Sequence, residues 1–324
     1  MPEREAPAGR VLLAFAAIYL LWGSTYLGIR YAVETLPPFV MAGTRHLTAG
    51  LLLYGWIRLR GERRPEARDW RLAAGIGALM LLGGNGLVSW AEQRVASGLA
   101  ALIVASVPLW MTVLEAARRR QAPRPAVIAG LVLGIVSLGW LVAPGRFGGN
   151  GHVDRLGAAA LLVAALCWAT GSLYSRVAKL SVPTLLAVAM EMIAGGLILW
   201  GVGLLLGEGT RLDLSAISTR SALALAYLVA FGSLVGFSAY MWLLTVTTPA
   251  RVSTYAYVNP VVAVLLGWAL AGEALTLSIG LAALGIVAAV AIIIRHGGKR
   301  EQEEIVRKVV PDREPVRLRA GRSS

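Results

Sequence analysis

The chain has 324 residues, of which 57% are hydrophobic and only 15% are charged. A soluble protein of this length needs far more charge to cover its surface, and the mean hydropathy of +0.67 argues against that class as well. The single cysteine, Cys167, excludes an internal disulfide bond.

Apolar runs of about 20 residues recur along the chain, and each can form a helix that crosses roughly 30 Å of hydrocarbon. We therefore predict an all-α integral membrane protein with ten transmembrane helices. The predicted helices are 11–30, 38–57, 72–91, 97–115, 125–143, 156–177, 183–206, 221–244, 250–271 and 275–294. The connections between them are short and carry the charges or prolines.

The two halves of the chain are copies of one unit. The stretch LLAFAAIYLLWGSTYLGIR at 12–30 returns in altered form as AAALLVAALCWATGSLYSR at 158–176, with Trp22 on Trp168. Further equivalent positions are Pro37 with Pro183, Arg45 with Glu191, Trp90 with Trp242, and Pro108 with Pro260. A duplication on this scale decides the architecture and has to be considered before any single motif.

Each copy contains five predicted spans, and five is an odd number. The second copy must therefore enter the membrane from the opposite side, which makes the two halves an inverted repeat. The predicted parts are a cytoplasmic N-terminus (1–10), a first five-helix repeat (11–143), an extracytoplasmic linker (144–155), a second five-helix repeat (156–294) and a basic, disordered cytoplasmic tail (295–324).

The basic residues are distributed unevenly across the predicted loops. With the N-terminus in the cytoplasm, the Arg-rich loops 58–71 and 116–125 and the basic tail all lie on the cytoplasmic side. This bias predicts that both termini are cytoplasmic. It also explains the net charge of +13 through anionic lipid headgroups at the cytoplasmic face, so we predict no nucleic-acid partner.

A Trp-Gly-Ser-Thr motif at 22–25 and the pair Asn259-Pro260, set in two inverted halves, resemble the drug/metabolite transporter superfamily, EamA type. The stretches PPFVMAGTRHLTAG (37–50) and VASGLAALIVASVPLW (95–110) are most similar to the YedA-like exporters of bacterial inner membranes. The resemblance covers about residues 11–295. It implies an inner-membrane exporter of small metabolites, such as amino acids or drug-like amphiphiles, without specifying one substrate.

Aromatic and polar residues in the middle of the spans are candidates for a central cavity. Trp22 and Tyr26 share a helix face, and the repeat places Trp168 opposite Trp22, so the pair could stack on a cargo. The alternative is helix packing, and Asn85 could equally bind cargo or join two helices. The candidate cavity residues are Trp22, Thr25, Tyr26, Asn85, Trp110, Trp168, Ser172, Tyr255, Tyr257 and Asn259.

Pro108 and Pro260 occupy equivalent mid-span positions. Each removes one backbone hydrogen bond and frees a carbonyl four residues earlier, so both helices should kink. Paired kinks in inverted halves are plausible hinges for a conformational change. The alternative is a fixed kink that only shapes the helix bundle.

Charged residues within the spans are costly, at about 3 kcal/mol or more each. Arg45 and Glu191 are equivalent in the repeat and opposite in sign, which predicts a structural ion pair across the pseudo-axis. Two alternatives stay open: Glu191 takes part in proton coupling or binds a cationic cargo, or the two charges reach the interface independently. Glu92, Glu115 and Glu273 end their spans and are expected to face water.

The inverted repeat favours a secondary transporter that moves a small molecule by alternating access. The sequence has no G-x-x-x-x-G-K-[ST] motif, which argues against an ATP-driven pump. The alternatives are a channel or receptor-like membrane scaffold and, with neither H-E-x-x-H nor G-x-S-x-G in the sequence, an intramembrane enzyme. We expect no enzymatic activity, no cofactor and no metal, and a monomer, because the fused halves can build one site together.

Overall fold

The computed structural model describes residues 7–142, 154–178, 180–247, 249–252 and 254–309. Within these ranges the chain is helical apart from short connections, and the described residues contain no strand. Nearly all of the predicted linker 144–155 and the end of the predicted tail, 310–324, lie outside the described residues.

Ten long helices follow one another along the described chain, each on one of the ten predicted apolar runs. They are α1 (Ala8–Ala32), α2 (Pro38–Leu59), α3 (Ala67–Ala91), α4 (Ser97–Arg119), α5 (Pro125–Val142), α6 (Arg155–Val177), α7 (Thr184–Leu205), α8 (Thr219–Val246), α9 (Tyr255–Ala271) and α10 (Leu277–Val309). A short helix, Pro249–Val252, precedes α9 and takes up the start of its apolar run.

The final helix differs from the sequence prediction. We expected a disordered tail from residue 295, but α10 continues to Val309. The sequence explains the extension, because Glu303 and Glu304 precede Arg307 and Lys308 by four residues, a spacing that stabilises a helix in water.

Seven helices are long and apolar enough to cross a membrane, namely α1, α3, α4, α6, α7, α8 and the first 20 residues of α10. Two shorter apolar helices lie within α5 and α9. Helix α2 has 22 residues but does not belong to either group, since Arg45 and His46 lower its hydropathy. Large apolar side chains such as Leu52, Ile135 and Leu284 are more than half exposed on the outside of the bundle, as expected of a surface that meets lipid.

Local sequence signals set the helix ends. Pro38 begins α2, where its missing N–H costs nothing. The Asp154 carboxylate caps α6 by accepting a hydrogen bond from the Gly157 N–H at 2.5 Å. Gly61 and Gly207, which are equivalent in the repeat, follow α2 and α7 with φ of 86° and 77°, a conformation that favours glycine.

The helix contacts reproduce the duplication seen in the sequence. Helix α1 packs against α8 and α9, and its equivalent α6 packs against α3 and α4. The equivalent helices α2 and α7 pack against each other, as do α5 and α10. Each half therefore inserts its first helix between the third and fourth helices of the other half, and the core of the protein lies at this junction.

Helices α3 and α8 both contain a wider π-helical segment, which the sequence analysis did not predict. The segments are Ala78–Gly86 in α3 and Leu228–Phe237 in α8, at equivalent places in the repeat. Helix α4 is also interrupted, between Val104 and Val107, just before Pro108. Such irregular turns frequently mark functional sites, and all three lie next to the central junction.

We predict that Glu208 stabilises the start of α2. It is 4% exposed, and its carboxylate accepts hydrogen bonds from the Phe39 and Val40 N–H groups at 3.2 Å and 2.8 Å. Glu208→Ala leaves two buried donors without partners, so we expect a loss of about 1–3 kcal/mol in thermal unfolding of the detergent-solubilised protein.

Glu34→Ala is the matched control for that experiment. Glu34 pairs with Arg220 at 3.3 Å, but the two side chains are 38% and 58% exposed. Its removal should cost less than about 1 kcal/mol. Equal melting temperatures for the two variants would show that Glu208 does not anchor α2.

Candidate functional site

A cavity lies at the central junction between the two halves. It holds about 620 Å³ of space between protein atoms, its open mouth included, and the centres of water molecules can reach about 70 Å³ of it. That is room for several waters or one small solute. Seven of the ten predicted cavity residues line it: Trp22, Thr25, Tyr26, Asn85, Trp168, Tyr255 and Asn259.

Four aromatic rings form one cluster at this cavity. We call Trp22, Trp168, Tyr240 and Tyr255 the aromatic cluster. The Trp22 and Trp168 ring centroids are 5.5 Å apart and nearly perpendicular, and Trp22 lies 4.9 Å from Tyr240 and 5.4 Å from Tyr255. Edge-to-face and tilted contacts at these distances are favourable. The cluster joins α1 to α6, α8 and α9, so both halves contribute to one wall.

Each tryptophan of the repeat fits against a glycine in the other half. Trp168 lies over Gly84 in α3, where an added Cβ would be 2.9 Å from the Trp168 Cε3. Trp22 lies over the equivalent Gly236 in α8, where an added Cβ would be 2.7 Å from the Trp22 Cδ1. The Trp22 Nε1–H also donates to the Gly232 carbonyl at 3.1 Å. The two π-helical segments thus provide matching recesses for the two indoles.

Arg45 brings a buried positive charge to the cavity. It is 4% exposed and lines the cavity together with His46. Its Nε–H donates to the Ser233 hydroxyl at 2.8 Å, and the same hydroxyl lies 3.3 Å from the His46 Nδ1. The other guanidinium nitrogens make no hydrogen bond to the described part of the chain. These donors border the cavity and are available to a ligand.

The predicted ion pair between Arg45 and Glu191 is not formed in this structure. Among the described residues Arg45 bonds Ser233 instead, while Glu191 is 1% exposed and its Oε2 has no hydrogen-bond partner. Equivalent positions in the repeat need not be in contact, because a two-fold axis gives equivalent residues similar surroundings in the two halves without bringing the residues themselves together. Helices α2 and α7 do pack against each other, but the Arg45 side chain turns from that contact to Ser233 in α8, and α7 also packs against α3.

The polar side chains of the cavity differ in whether their hydrogen-bonding groups already have partners in the protein. The Asn85 amide makes no hydrogen bond within the described chain, so it is available to a ligand. Asn259, in the amide orientation that satisfies its neighbours, donates to the Ile18 and Tyr19 carbonyls at 3.1 Å and so joins α9 to α1. Thr25 donates to the Trp22 carbonyl of its own helix.

Of the remaining predicted site residues, those whose side chains the structure describes do not line the cavity. Trp110 packs in a small apolar cluster between α4 and α6, and Ser172 bonds the Tyr240 hydroxyl at 2.8 Å behind the aromatic cluster. Pro108 is buried just after the break in α4, and Pro260 lies within α9. The side chain of Tyr257 lies outside the described part of the structure.

Several residues at the site were missed by the sequence analysis. His46, Phe237 and Gly232 line the cavity, and Tyr240 belongs to the aromatic cluster. The repeat could have identified Phe237, because it is equivalent to Asn85. Nothing in the sequence singled out Tyr240, whose role depends on how α8 packs against α1 and α6.

The glutamates at the span ends differ from one another. Glu115 pairs with Arg118 and Arg119 at a partly exposed helix end, but Glu92 is 0% exposed and both its carboxylate oxygens lack hydrogen-bond partners. Glu273 accepts hydrogen bonds from the Ser97 and Gly98 N–H groups at the start of α4. The expectation that all three simply face water was therefore wrong for Glu92, which is buried, and for Glu273, which bonds the start of α4.

Comparisons with known proteins agree with this architecture. The model of the EamA-like transporter family matches residues 9–143 and 155–295, one match for each half. The chain is 40% identical to the inner membrane transporter YedA of Escherichia coli over 287 residues, which cover 88% of this chain and 90% of that protein.

More distant relatives and a solved structure extend the similarity. Protein PagO of Salmonella typhimurium is 29% identical over 79% of this chain and 83% of its own, and the transporter YvbV of Bacillus subtilis is 25% identical over 90% and 93%. One crystal structure superposes with a TM-score of 0.64 at 22% identity, covering 92% of this chain and 100% of the other. At that identity the superposition supports the fold alone.

We predict that Gly236 and Gly84 cannot accept a side chain. Gly236→Ala forces Trp22 out of its recess, and Gly84→Ala does the same to Trp168, so each should cost about 1–3 kcal/mol in thermal unfolding. Gly201→Ala is the control, since no atom lies within 4 Å of its added Cβ. Melting temperatures that do not separate the three variants would contradict the recess geometry.

We also predict that exchanging the two intramembrane charges does not restore stability. Arg45→Glu places a carboxylate among the groups that now surround the guanidinium, so the yield of monodisperse protein should fall sharply. Adding Glu191→Arg should not recover it, because the two residues are not partners in this structure. Recovery in the double variant, measured by size-exclusion chromatography, would instead support a direct pair.

Proposed function

Since the chain belongs to the EamA-like transporter family, we propose that it is a secondary transporter of the inner membrane that exports small metabolites by alternating access. The observation that carries this proposal is the cavity between the halves, walled by the aromatic cluster and containing the buried Arg45. Export is the direction that the family resemblance implies.

We infer a ten-helix topology with both termini in the cytoplasm. It comprises the seven long apolar helices, the two shorter ones in α5 and α9, and α2, whose buried Arg45 faces protein rather than lipid. Five helices in each half then give the halves opposite orientations in the membrane. The Arg-rich connection between α2 and α3 faces anionic headgroups in this arrangement, as the positive-inside rule expects. Both halves contribute to one cavity, so a monomer suffices.

The cavity residues suggest the chemistry of the cargo. The aromatic cluster offers flat apolar surface, and the unpaired N–H groups of Arg45 offer a match for a carboxylate. A cationic cargo would be repelled by Arg45, because no carboxylate in the described part of the chain bonds its guanidinium. We therefore favour small molecules that carry a carboxylate beside an apolar group, amino acids among them, over cationic amphiphiles.

The irregular helical turns around the cavity are positions at which the helices could bend during alternating access. The break in α4 lies just before Pro108, and the equivalent residue in the second half, Pro260, lies within α9. Val104, immediately before the break, lines the cavity. Backbone that departs from an ideal helix at membrane depth is tolerated where it borders a cavity, and paired hinges at these positions would let the halves open in turn.

The test is an efflux screen in a bacterial host that lacks related exporters. Cells expressing the protein are challenged with growth-inhibiting amino acids, dipeptides and cationic amphiphilic drugs. We expect protection against compounds that carry a carboxylate and an apolar group, and loss of at least about tenfold in efflux rate with Trp22→Ala or Arg45→Gln. Trp56→Ala is the control, since Trp56 is 46% exposed on the outer surface and away from the cavity.

Vesicle flux separates a transporter from a channel. Uptake of the protective compound into inverted vesicles should saturate and be inhibited by its competitors, because each cycle binds one cargo in one cavity. Flux that rises in proportion to concentration would point to a channel. Protection against cationic drugs only would overturn the assignment of Arg45 to cargo binding.

A further inference from the structure

The carboxyl group of Glu92 differs from those of the other glutamates that the structure describes next to helix ends. It follows directly after α3, it is 0% exposed, and neither Oε1 nor Oε2 has a hydrogen-bond partner. Glu208 and Glu273, by contrast, each accept hydrogen bonds from backbone N–H groups at a helix start. A buried carboxylate without partners is costly, and binding a proton removes that cost.

Glu92 also lies on the cavity side of its helix. Asn85 and Val88 of α3 line the cavity, and Glu92 follows at the spacing that keeps residues on one helix face. Tyr26 and Arg45, which line the cavity from α1 and α2, both interact electrostatically with Glu92. Glu92 itself does not line the cavity, so a response of its carboxyl group to a charge placed there would pass through Arg45.

Burial is the main influence on the electrostatics of Glu92, and four groups from the surrounding elements act on it as well. They are Tyr26 and Arg30 from α1, Arg45 from α2, and Glu273 after α9. Arg30 Nη1 already donates to the Glu92 carbonyl at 2.6 Å, and the Glu273 carboxylate is held by Ser97 and Gly98 at 2.7–2.9 Å. Arg30 does not line the cavity, so Arg45 is the cation of this group whose charge a ligand in the cavity can neutralise.

We propose that Glu92 is a proton-binding site coupled to the cavity through Arg45. When the cavity is empty, the positive charge of Arg45 offsets part of the cost of burying the Glu92 carboxylate. When an anionic group occupies the cavity at Arg45, that support is lost and the Glu92 carboxylate takes up one proton from water to become the neutral acid. Proton and anion therefore bind together, and by linkage each strengthens the binding of the other.

The inference rests on the proposed function for its place in a transport cycle, but it can be tested without any cargo. The probe is N,N′-dicyclohexylcarbodiimide, an apolar reagent that adds to protonated carboxyl groups in apolar surroundings. The full-length protein in lipid nanodiscs is treated at a series of pH values, and the modified peptides are quantified by mass spectrometry. We expect labelling of Glu92 that decreases as pH rises and is absent in Glu92→Gln.

Substitution of Arg45 then tests the coupling. Arg45→Gln and Arg45→Met remove the charge, as an anion in the cavity would, so labelling of Glu92 should persist to a pH higher by at least about one unit. Arg45→Lys keeps the charge and should behave like the unmodified protein. Glu191 is the internal control, because it is equally buried and has no bond to Arg45, so its labelling should not change with any of these substitutions.

Two results would overturn the inference. If Glu92 is not labelled at any pH, it is not a proton-binding site. If its labelling is unchanged by the Arg45 substitutions, it is not coupled to Arg45. Because two neutral replacements are used, failure of one to fold still leaves a decisive comparison. An efflux screen without a positive compound, combined with the expected labelling, would count against the proposed transport and leave the proton site intact.

Discussion

The two indoles at the centre of the protein hold its halves together. Trp22 reaches from the first half into a recess at Gly236 in the second, and Trp168 reaches back into the recess at Gly84. Their centroids lie 5.5 Å apart, so the two contacts form one unit. The π-helical segments that contain both glycines provide room for the indoles, and the cavity lies beside the rings. The fit of large rings against bare backbone thus determines both the junction and the position of the site.

Burying a charged group among apolar helices is costly unless the group is hydrogen-bonded, and the buried charged residues differ in how far this need is met. Glu208 and Glu273 satisfy backbone N–H groups at helix starts and serve to fix α2 and α4. Arg45 and Glu92 lack such complete satisfaction, and both lie at or beside the cavity. Glu191 is also unsatisfied at Oε2 but is not part of the cavity lining. Arg45 can gain its missing partners from a ligand in the cavity, and a buried carboxyl group such as that of Glu92 can lose its charge by binding a proton.

The parts of the structure that local sequence determines were predictable, and those that depend on packing were not. Apolar runs and their flanking prolines and glycines located the ten helices, and alignment of the repeat brought Trp22 to Trp168. The Arg45–Glu191 pair failed because the repeat gives position along a helix, whereas a contact also needs the direction of each side chain. Glu92 was misjudged for a similar reason, since its burial comes from neighbouring helices. The π-helical turns had no signal beyond a high glycine content.

The duplication built a nearly symmetric frame, and divergence between the copies made the cavity asymmetric. The first half contributes Thr25, Arg45, His46 and Asn85, while the equivalent residues in the second half are Gly171, Glu191, Met192 and Phe237. Of that second set only Phe237 lines the cavity, beside Trp168 and Tyr255. The basic lining residues, Arg45 and His46, therefore come from the first half alone, whereas the aromatic lining residues come from both halves. A cargo with one charged end and one apolar end can then bind in a single orientation, and that orientation places its charge beside Arg45, the residue through which Glu92 can respond.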